Sequence, residues 1–360
     1  LDTTDLRWLD AAARLAQTIL GNTAENPASA ALVVEPNTQR LVARAITGKG
    51  GRPHAEATAV QYAGFEAAGC TLYTTIEPCL HWGRMPPCAD AIVRAGIMRV
   101  VIGAKDPRTD GAAQAYLESA GIEVEIVDHA PSLALGAGNF LRHRSARPFL
   151  TAVLTVSADN KIATTEGSRL AVPPAAASWA EILRSRSDAI LVSSTTAGTD
   201  DPKLTVALPG LATRSPLRVV LAGRSGVDRK LNLIGGFSGY RTAIIAQSGI
   251  DVDAPVSVER LSVPGADGRP HLASALSALA EKHVQNLVAE PGQRLTAKLL
   301  EADLVDRFVL IETQETLGKE ALAACVDGPV ADFIEAAGLV QTHRQSLGAA
   351  ILRIFERPRA

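Results

Sequence analysis

Short β-branched runs alternate with helix-patterned stretches of about 10–15 residues along most of this chain, which confines it to a layered α/β fold. The N-terminal stretch sets Leu6, Leu9, Ala12, Leu15, Ala16 and Ile19 on one side of a helix. "AALVVE" and "LVARAI" flank a turn at Pro36-Asn37 and predict a hairpin. A helical pattern runs from His54 to about Ala68, followed by the strand "TLYTT". A helix over "CADAIVRAG", a strand "MRVVIGA", a helix over "AAQAYLESAG" and a strand "IEVEIV" complete this half. At 360 residues the chain outgrows one hydrophobic core. The charged segment "NFLRHRSARPFL" marks a boundary near residue 146, which divides the chain into domains 1–146 and 147–360. The second half restarts with "FLTAVLTV", "DAILVS", "LRVVLA", "TAIIAQ", "NLVAE", "DRFVLIE" and "AAILRIF", separated in part by helical patterns near 175–186, 271–282 and 293–302.

Charge and composition narrow the function. The net charge is −2, and aromatic residues make up 4% of the chain. Neither a basic field nor a stacking surface for nucleic acid is encoded. No apolar run approaches the roughly 20 residues of a membrane span, and the acidic N-terminal stretch has no secretory-signal pattern. The expectation is a cytoplasmic enzyme in a reducing compartment, where disulfides are disfavoured. No strand leads into GxGxxG, so the dinucleotide fingerprint is missing.

Two of the four cysteines crowd into "EPCLHWGRMPPC", Glu77 to Cys88, in a chain otherwise poor in them. Upstream lies "GGRPHAEATAV", with His54 and Glu56. His54, Cys79 and Cys88 make a three-donor set of the kind that holds catalytic Zn²⁺ with one corner open. A closed structural site would recruit a fourth donor, for which Cys70 and His81 are the nearby candidates. The pattern favours His54 opening one helix and Cys88 another, where the positive helix end helps hold a thiolate. Glu56 then stands beside the open corner, placed to take a proton from water and pass it to a leaving amine. H-x-E with P-C…C is the signature of zinc deaminases. Cys70 and Cys325 read as core thiols.

"PHAE" followed by "EPCLHWGRMPPCADAIVRAGIMRVVIGAKDP" resembles the bifunctional riboflavin-biosynthesis deaminase–reductases, whose signature is PCxHxGRxPPC. "NPASAALVV", "RPFLTAVLTVSADNKIAT", "LRSRSDAILVSSTTAGTDDPKLTV" and "AEPGQRLTAKLLEADLVDRFVL" extend the likeness over nearly the whole chain, with residues 223–280 matching poorly. The resemblance implies an N-terminal cytidine-deaminase-like three-layer α/β/α domain and a C-terminal dihydrofolate-reductase-like α/β domain. It implies deamination of 2,5-diamino-6-(5-phosphoribosylamino)pyrimidin-4-one and then NADPH-dependent reduction of the ribosyl group to ribityl. By position, His54, Cys79 and Cys88 would hold zinc and Glu56 would carry the proton. Asn26, Lys161, Ser168, Arg184, Leu204 and Glu290 would meet substrate. Thr155, Thr196, Asp200 and the stretch from Gly292 to Lys298 would meet NADPH.

The sequence also departs from that pattern. Ile46-Thr47 replaces Trp-His, Ser29-Ala30 replaces Val-Gly, and "RTDGAAQAY" replaces a glycine-rich turn. Ala207 stands where the family has a phosphate-binding arginine, Leu170 and Val172 replace Trp and Thr, and Pro291 enters a run of small residues. A second reading follows: a zinc deaminase of a related aminopyrimidine or pterin-like ring with a weak or repurposed reductase half. A nucleic-acid deaminase is opposed by the acidic, aromatic-poor composition, and a zinc scaffold by Glu56. The family and the base rate for symmetric oligomers suggest a homodimer. "AAILRIF" is either an edge strand available to a second copy or an interior strand of one sheet.

Overall fold

The computed structural model describes residues 3–83, 86–167, 169–224, 226–235 and 239–358. The chain divides into two compact units, residues 1–146 and 147–360.

In the first unit, α1 (Thr3–Ala16) precedes the hairpin β1 (Ala30–Glu35) and β2 (Arg40–Ile46). Then come α2 (Ala55–Ala63), β3 (Thr71–Thr74), α3 (Cys88–Arg94), β4 (Arg99–Ile102), α4 (Ala112–Ser119), β5 (Glu123–Ile126) and α5 (Ala130–Ser145). The sheet order is β2-β1-β3-β4-β5. β1 runs antiparallel to β2 and β3, and β3, β4 and β5 are parallel. An inner strand covered on both faces reads apolar, and β1 does from Ala30 to Val34. Ala31 and Val33 pack with Ala59, Leu72, Ile92 and Leu117 on one face. Ala30, Leu32 and Val34 pack with Leu9, Ala12, Ala16 and Leu135 on the other. Helices on both sides complete the expected three layers.

The second unit opens with β6 (Phe149–Val156), β7 (Lys161–Ala163), α6 (Pro174–Ser185), β8 (Ala189–Ser193) and α7 (Ser194–Asp200). β9 (Leu217–Leu221), β10 (Thr242–Gln247), β11 (Val258–Val263) and the small pair β12 (Gly265–Ala266) and β13 (Arg269–Pro270) follow. The chain continues through α8 (Leu272–Glu281), β14 (Asn286–Ala289), α9 (Gln293–Glu301), β15 (Arg307–Glu312) and β16 (Leu322–Ala323). It ends with α10 (Val330–Ala336), β17 (Val340–Leu347) and β18 (Ala350–Glu356). Nine strands order as β11-β10-β9-β8-β14-β6-β15-β18-β17. All neighbours are parallel except β18, which is antiparallel to both β15 and β17. "AAILRIF" is therefore an interior strand, and the polar β17 covers the edge. α8, α9 and α10 pack on one face, and α6 and α7 on the other.

One segment departs from its sequence reading. "NFLRHRS", taken as part of a charged boundary, is the last two turns of α5: Asn139 and Phe140 are buried, and Arg142, His143 and Arg144 close the final turn.

Candidate functional site

Two helix starts and one turn converge in the first unit. His54 caps α2, Cys88 opens α3, and Cys79 lies in the turn that follows β3. His54 Nδ1 is 3.5 Å from Cys79 Sγ and 3.5 Å from Cys88 Sγ. A tetrahedral ion with Zn–N near 2.0 Å and Zn–S near 2.3 Å sets nitrogen and sulfur about 3.5 Å apart, so both nitrogen–sulfur separations already match such a site. His54 Nε2 is buried without a hydrogen-bond partner among the described residues, leaving Nδ1 as the engaged end of the ring. No fourth His, Cys, Asp or Glu joins the set among the described residues. His81 is exposed. Cys70 is a core thiol whose Sγ donates to the Glu66 carbonyl at 3.0 Å. Cys325 lies in the core of the second unit.

Electrostatics suit a cation. Cys79 is pulled down to about 4, chiefly by a hydrogen bond from Cys88, while that bond and burial push the Cys88 thiol up. A thiolate is the form that would bind a cation here, since metal binding favours deprotonated ligands. His54 is raised, first by its hydrogen bond with Cys79. Glu56, 2% exposed, is raised by burial, and its Oε1 shares a 2.9 Å hydrogen bond with Thr74 Oγ1.

Asn26, Ser29, Thr47, Glu56, Asp106 and Arg108 line a pocket against His54 and Cys79. Gly51 makes this closure possible. It has φ +88°, and a Cβ there would stand 2.3 Å from the Thr23 carbonyl and 2.6 Å from Asn26 Nδ2. Two of the sequence departures turn out to be partners. Thr47 Oγ1 accepts the Ser29 N–H at 3.0 Å, donates to the Pro27 carbonyl at 3.0 Å and lies 3.1 Å from Ser29 Oγ.

In the second unit, a cavity of about 840 Å³ opens at the strand ends. Arg169, Thr196, Asp200, Gly223, Gly292 and Lys298 are among its walls. A second cavity of about 660 Å³ shares Arg169, Thr196 and Asp200 with it and adds Glu290. Arg184 donates to Glu290 Oε1 from Nε at 2.7 Å and from Nη2 at 2.5 Å. Thr196 is fixed by Ser193, whose Oγ accepts its N–H at 3.1 Å and donates to its Oγ1 at 3.0 Å. Gly292, just before α9, lets that helix approach, since a Cβ would stand 3.0 Å from Thr196 Oγ1.

Other expected residues fall elsewhere. Thr155 is half-buried on β6, and Lys161 on β7 donates to the Lys319 carbonyl at 3.3 Å; neither lines these cavities. Leu204 has a left-handed backbone, φ +51°, and a side chain buried in the core, while Pro202 reaches the cavity wall. Ser168 lies outside the described residues. Arg169, not singled out from sequence, pairs with Asp200 at 2.5 Å. Its only sequence signal was adjacency to Ser168.

Comparison with known proteins supplies the lineage. Residues 2–104 match the cytidine and deoxycytidylate deaminase zinc-binding region, and residues 148–344 match the RibD C-terminal domain. Riboflavin biosynthesis protein RibD of Escherichia coli (strain K12) is 30% identical over 338 residues, covering 89% of this chain and 90% of that protein. The Aquifex aeolicus (strain VF5) protein of the same name is 32% identical over 319 residues, 88% of each chain. Among solved structures, Acinetobacter baumannii RibD superposes with TM-score 0.85 at 25% identity over 99% of both chains. A Thermotoga maritima diaminohydroxyphosphoribosylaminopyrimidine deaminase/5-amino-6-(5-phosphoribosylamino)uracil reductase gives 0.84 at 25% identity over 99% of both. A three-donor centre beside a buried carboxylate, a second unit built on a nine-stranded sheet and relatives matched over nearly their full length agree: the chain belongs to the RibD family of bifunctional riboflavin-biosynthesis enzymes, joining a zinc-binding deaminase domain to an NADPH-dependent reductase domain.

Proposed function

We propose that residues 1–146 hydrolyse the 2-amino group of 2,5-diamino-6-(5-phosphoribosylamino)pyrimidin-4-one and that residues 147–360 reduce the ribosyl group of the product to ribityl. The observation that carries the first step is the set of three donors beside Glu56. In this reading His54, Cys79 and Cys88 hold the metal, and the match of their spacing to a tetrahedral site supports zinc. Bound there, zinc supplies a Lewis acid that acidifies a water molecule. Glu56 accepts the proton at its carboxylate and delivers it to the departing amine. A carboxyl lifted by burial suits both halves of that exchange. Asn26 donates to the pyrimidine from the pocket wall.

For the second step, Thr196, Asp200 and Gly292 are assigned to NADPH together with Thr155. The size of the cavity that Thr196, Asp200 and Gly292 line and the close approach of α9 across Gly292 support a dinucleotide there. NADPH supplies a hydride. Arg184 binds the phosphate and Glu290 lines the same pocket and holds the guanidinium, with Lys161, Ser168 and the backbone of Leu204 assigned to the rest of the substrate. The Arg184–Glu290 pair beside the cavity supports this arrangement. The relatives do not favour the reading as a deaminase of another heterocycle.

The enzyme works on small molecules. No described helix is long and apolar enough to cross a membrane. A cytoplasmic homodimer completes the proposal, and the net charge of −2 and the scarcity of aromatics support the reading that it does not engage nucleic acid. Ammonia release and NADPH oxidation should both follow addition of the diaminopyrimidinone, together and in separate assays. No ammonia would overturn the first assignment. Ammonia without NADPH oxidation would overturn the second.

A further inference from the structure

Arg108 is the one arginine or lysine lining the pocket that holds Asn26 and Glu56, among the described residues. It is held far more firmly than a surface charge. Its Nε lies 3.1 Å from each Asp106 oxygen, and its Nη2 is 2.6 Å from Oδ2. Its own N–H donates to Oδ1 at 2.9 Å. Asp106 is 1% exposed. Nη1, with two N–H donors, remains uncommitted among the described residues.

The loop beneath is braced as well. The buried Glu77 carboxylate accepts the N–H groups of Asp106 at 3.2 Å, Gly111 at 3.2 Å and Ala113 at 3.1 Å. Glu77 precedes Cys79 by two residues, so one turn carries a metal ligand and steadies the arginine. More positive charge gathers nearby from α5. Arg142 donates to the carbonyl of Glu25, beside Asn26, at 2.9 Å. His143 is held below its usual range by burial first, then by the charges of Arg142 and Arg108. Arg142 Nη2 also donates to His143 Nε2 at 3.2 Å, so the imidazole adds no charge and two guanidinium groups from two elements supply the positive field.

A guanidinium fixed by a buried carboxylate, with one nitrogen to spare, is a preorganised receptor for an anionic oxygen. The substrate carries one such group, its phosphate, while its reacting amine must reach Glu56. We propose that Arg108 binds the 5′-phosphate of the deaminase substrate, with Arg142 strengthening the local positive field. This inference rests on the substrate reading above. It also makes the start of "RTDGAAQAY", one of the departures from the family pattern, the segment that fixes how this chain meets phosphate.

The test follows ammonia release without NADPH, which reports the first half alone, using the phosphorylated diaminopyrimidinone and its dephosphorylated nucleoside. The parent enzyme should favour the phosphorylated form in kcat/KM by about ten- to a hundredfold, the range expected for one charged hydrogen-bonded contact. Arg108→Gln should bring that ratio towards one, through a greater loss on the phosphorylated substrate than on the nucleoside, while zinc content is retained. Arg108→Lys, which keeps charge but loses the fork, should retain part of the preference. An unchanged ratio in Arg108→Gln, or equal losses on both substrates, would overturn the proposal. No ammonia from either substrate with zinc in place would overturn the substrate reading itself, and this inference with it.

Discussion

In the first unit the metal donors and Glu56 come from residues 54–88, from two helix starts and one turn, and Glu56 is 2% exposed. In the second, the assigned residues run from Thr155 to Gly292, and the side chains of Arg184 and Glu290 are 21% and 23% exposed. A metal centre needs few donors at fixed spacing, so short-range chain geometry can specify it. A dinucleotide cleft is a long surface, assembled only when distant strands fall into order. Glu290 follows β14, which sits between β8 and β6, and its N–H donates to the Leu191 carbonyl at 3.0 Å on β8. The first design concentrates its chemistry in a few irreplaceable atoms; the second spreads binding over many.

That contrast is testable. The largest effect belongs to Glu56→Gln: ammonia release should fall by about 10²–10⁴-fold, with zinc retained by metal analysis and NADPH oxidation of the deaminated substrate unchanged. A matching loss of NADPH oxidation would break the separation between the halves. Arg184→Gln should do the reverse, raising KM in the reductase assay by about ten- to a hundredfold while ammonia release is preserved. Ala207→Arg should be milder. Ala207 is exposed and tied through its N–H to Glu181 at 2.8 Å, so a longer side chain has room. Reductase KM for phosphorylated substrate should fall by up to about tenfold, and no change would mean that phosphate is met elsewhere.

The smallest effect concerns acid stability near β7. Asp159 is held at about 2, below its ordinary 3.8, by the Ser157 hydroxyl and the N–H groups of Leu317 and Gly318. A depressed carboxyl contributes stability above the ordinary value and loses it as pH falls through the lowered one. Asp159→Asn should therefore flatten the acid end of the Tm-against-pH curve slightly between pH 4 and about 2. A parallel curve would remove Asp159 from the account.

Periodicity carried much of the architecture. The hairpin, α2, α8 and α9 follow their apolar spacing, and the donor triad follows from the His-Ala-Glu run and the eight residues between the cysteines. The segments that escaped have physical reasons. α7, "STTAGTD", has no apolar stripe and starts on the Ser193 cap. β17, "VQTHRQSL", is exposed at every position but Leu347, so no alternation betrays it. Leu204 was expected at a pocket wall because position alone cannot show which way a left-handed residue turns its side chain. Ser29 and Thr47, eighteen residues apart, were legible as two substitutions but not as one hydrogen-bonded pair. Arg108 was hidden for the same reason, since its meaning depends on Glu77 and Asp106 gripping one loop.

Glu77 carries a last consequence. Its carboxylate ties the turn bearing Cys79 to the amides of residues 106, 111 and 113. Order gained at one end of that tie lowers the entropy still to be lost at the other, so filling the His54–Cys79–Cys88 site is expected to steady the loop that carries Arg108. Stripping the ion should speed hydrogen–deuterium exchange at those three amides, a change felt in the loop before any chemistry occurs.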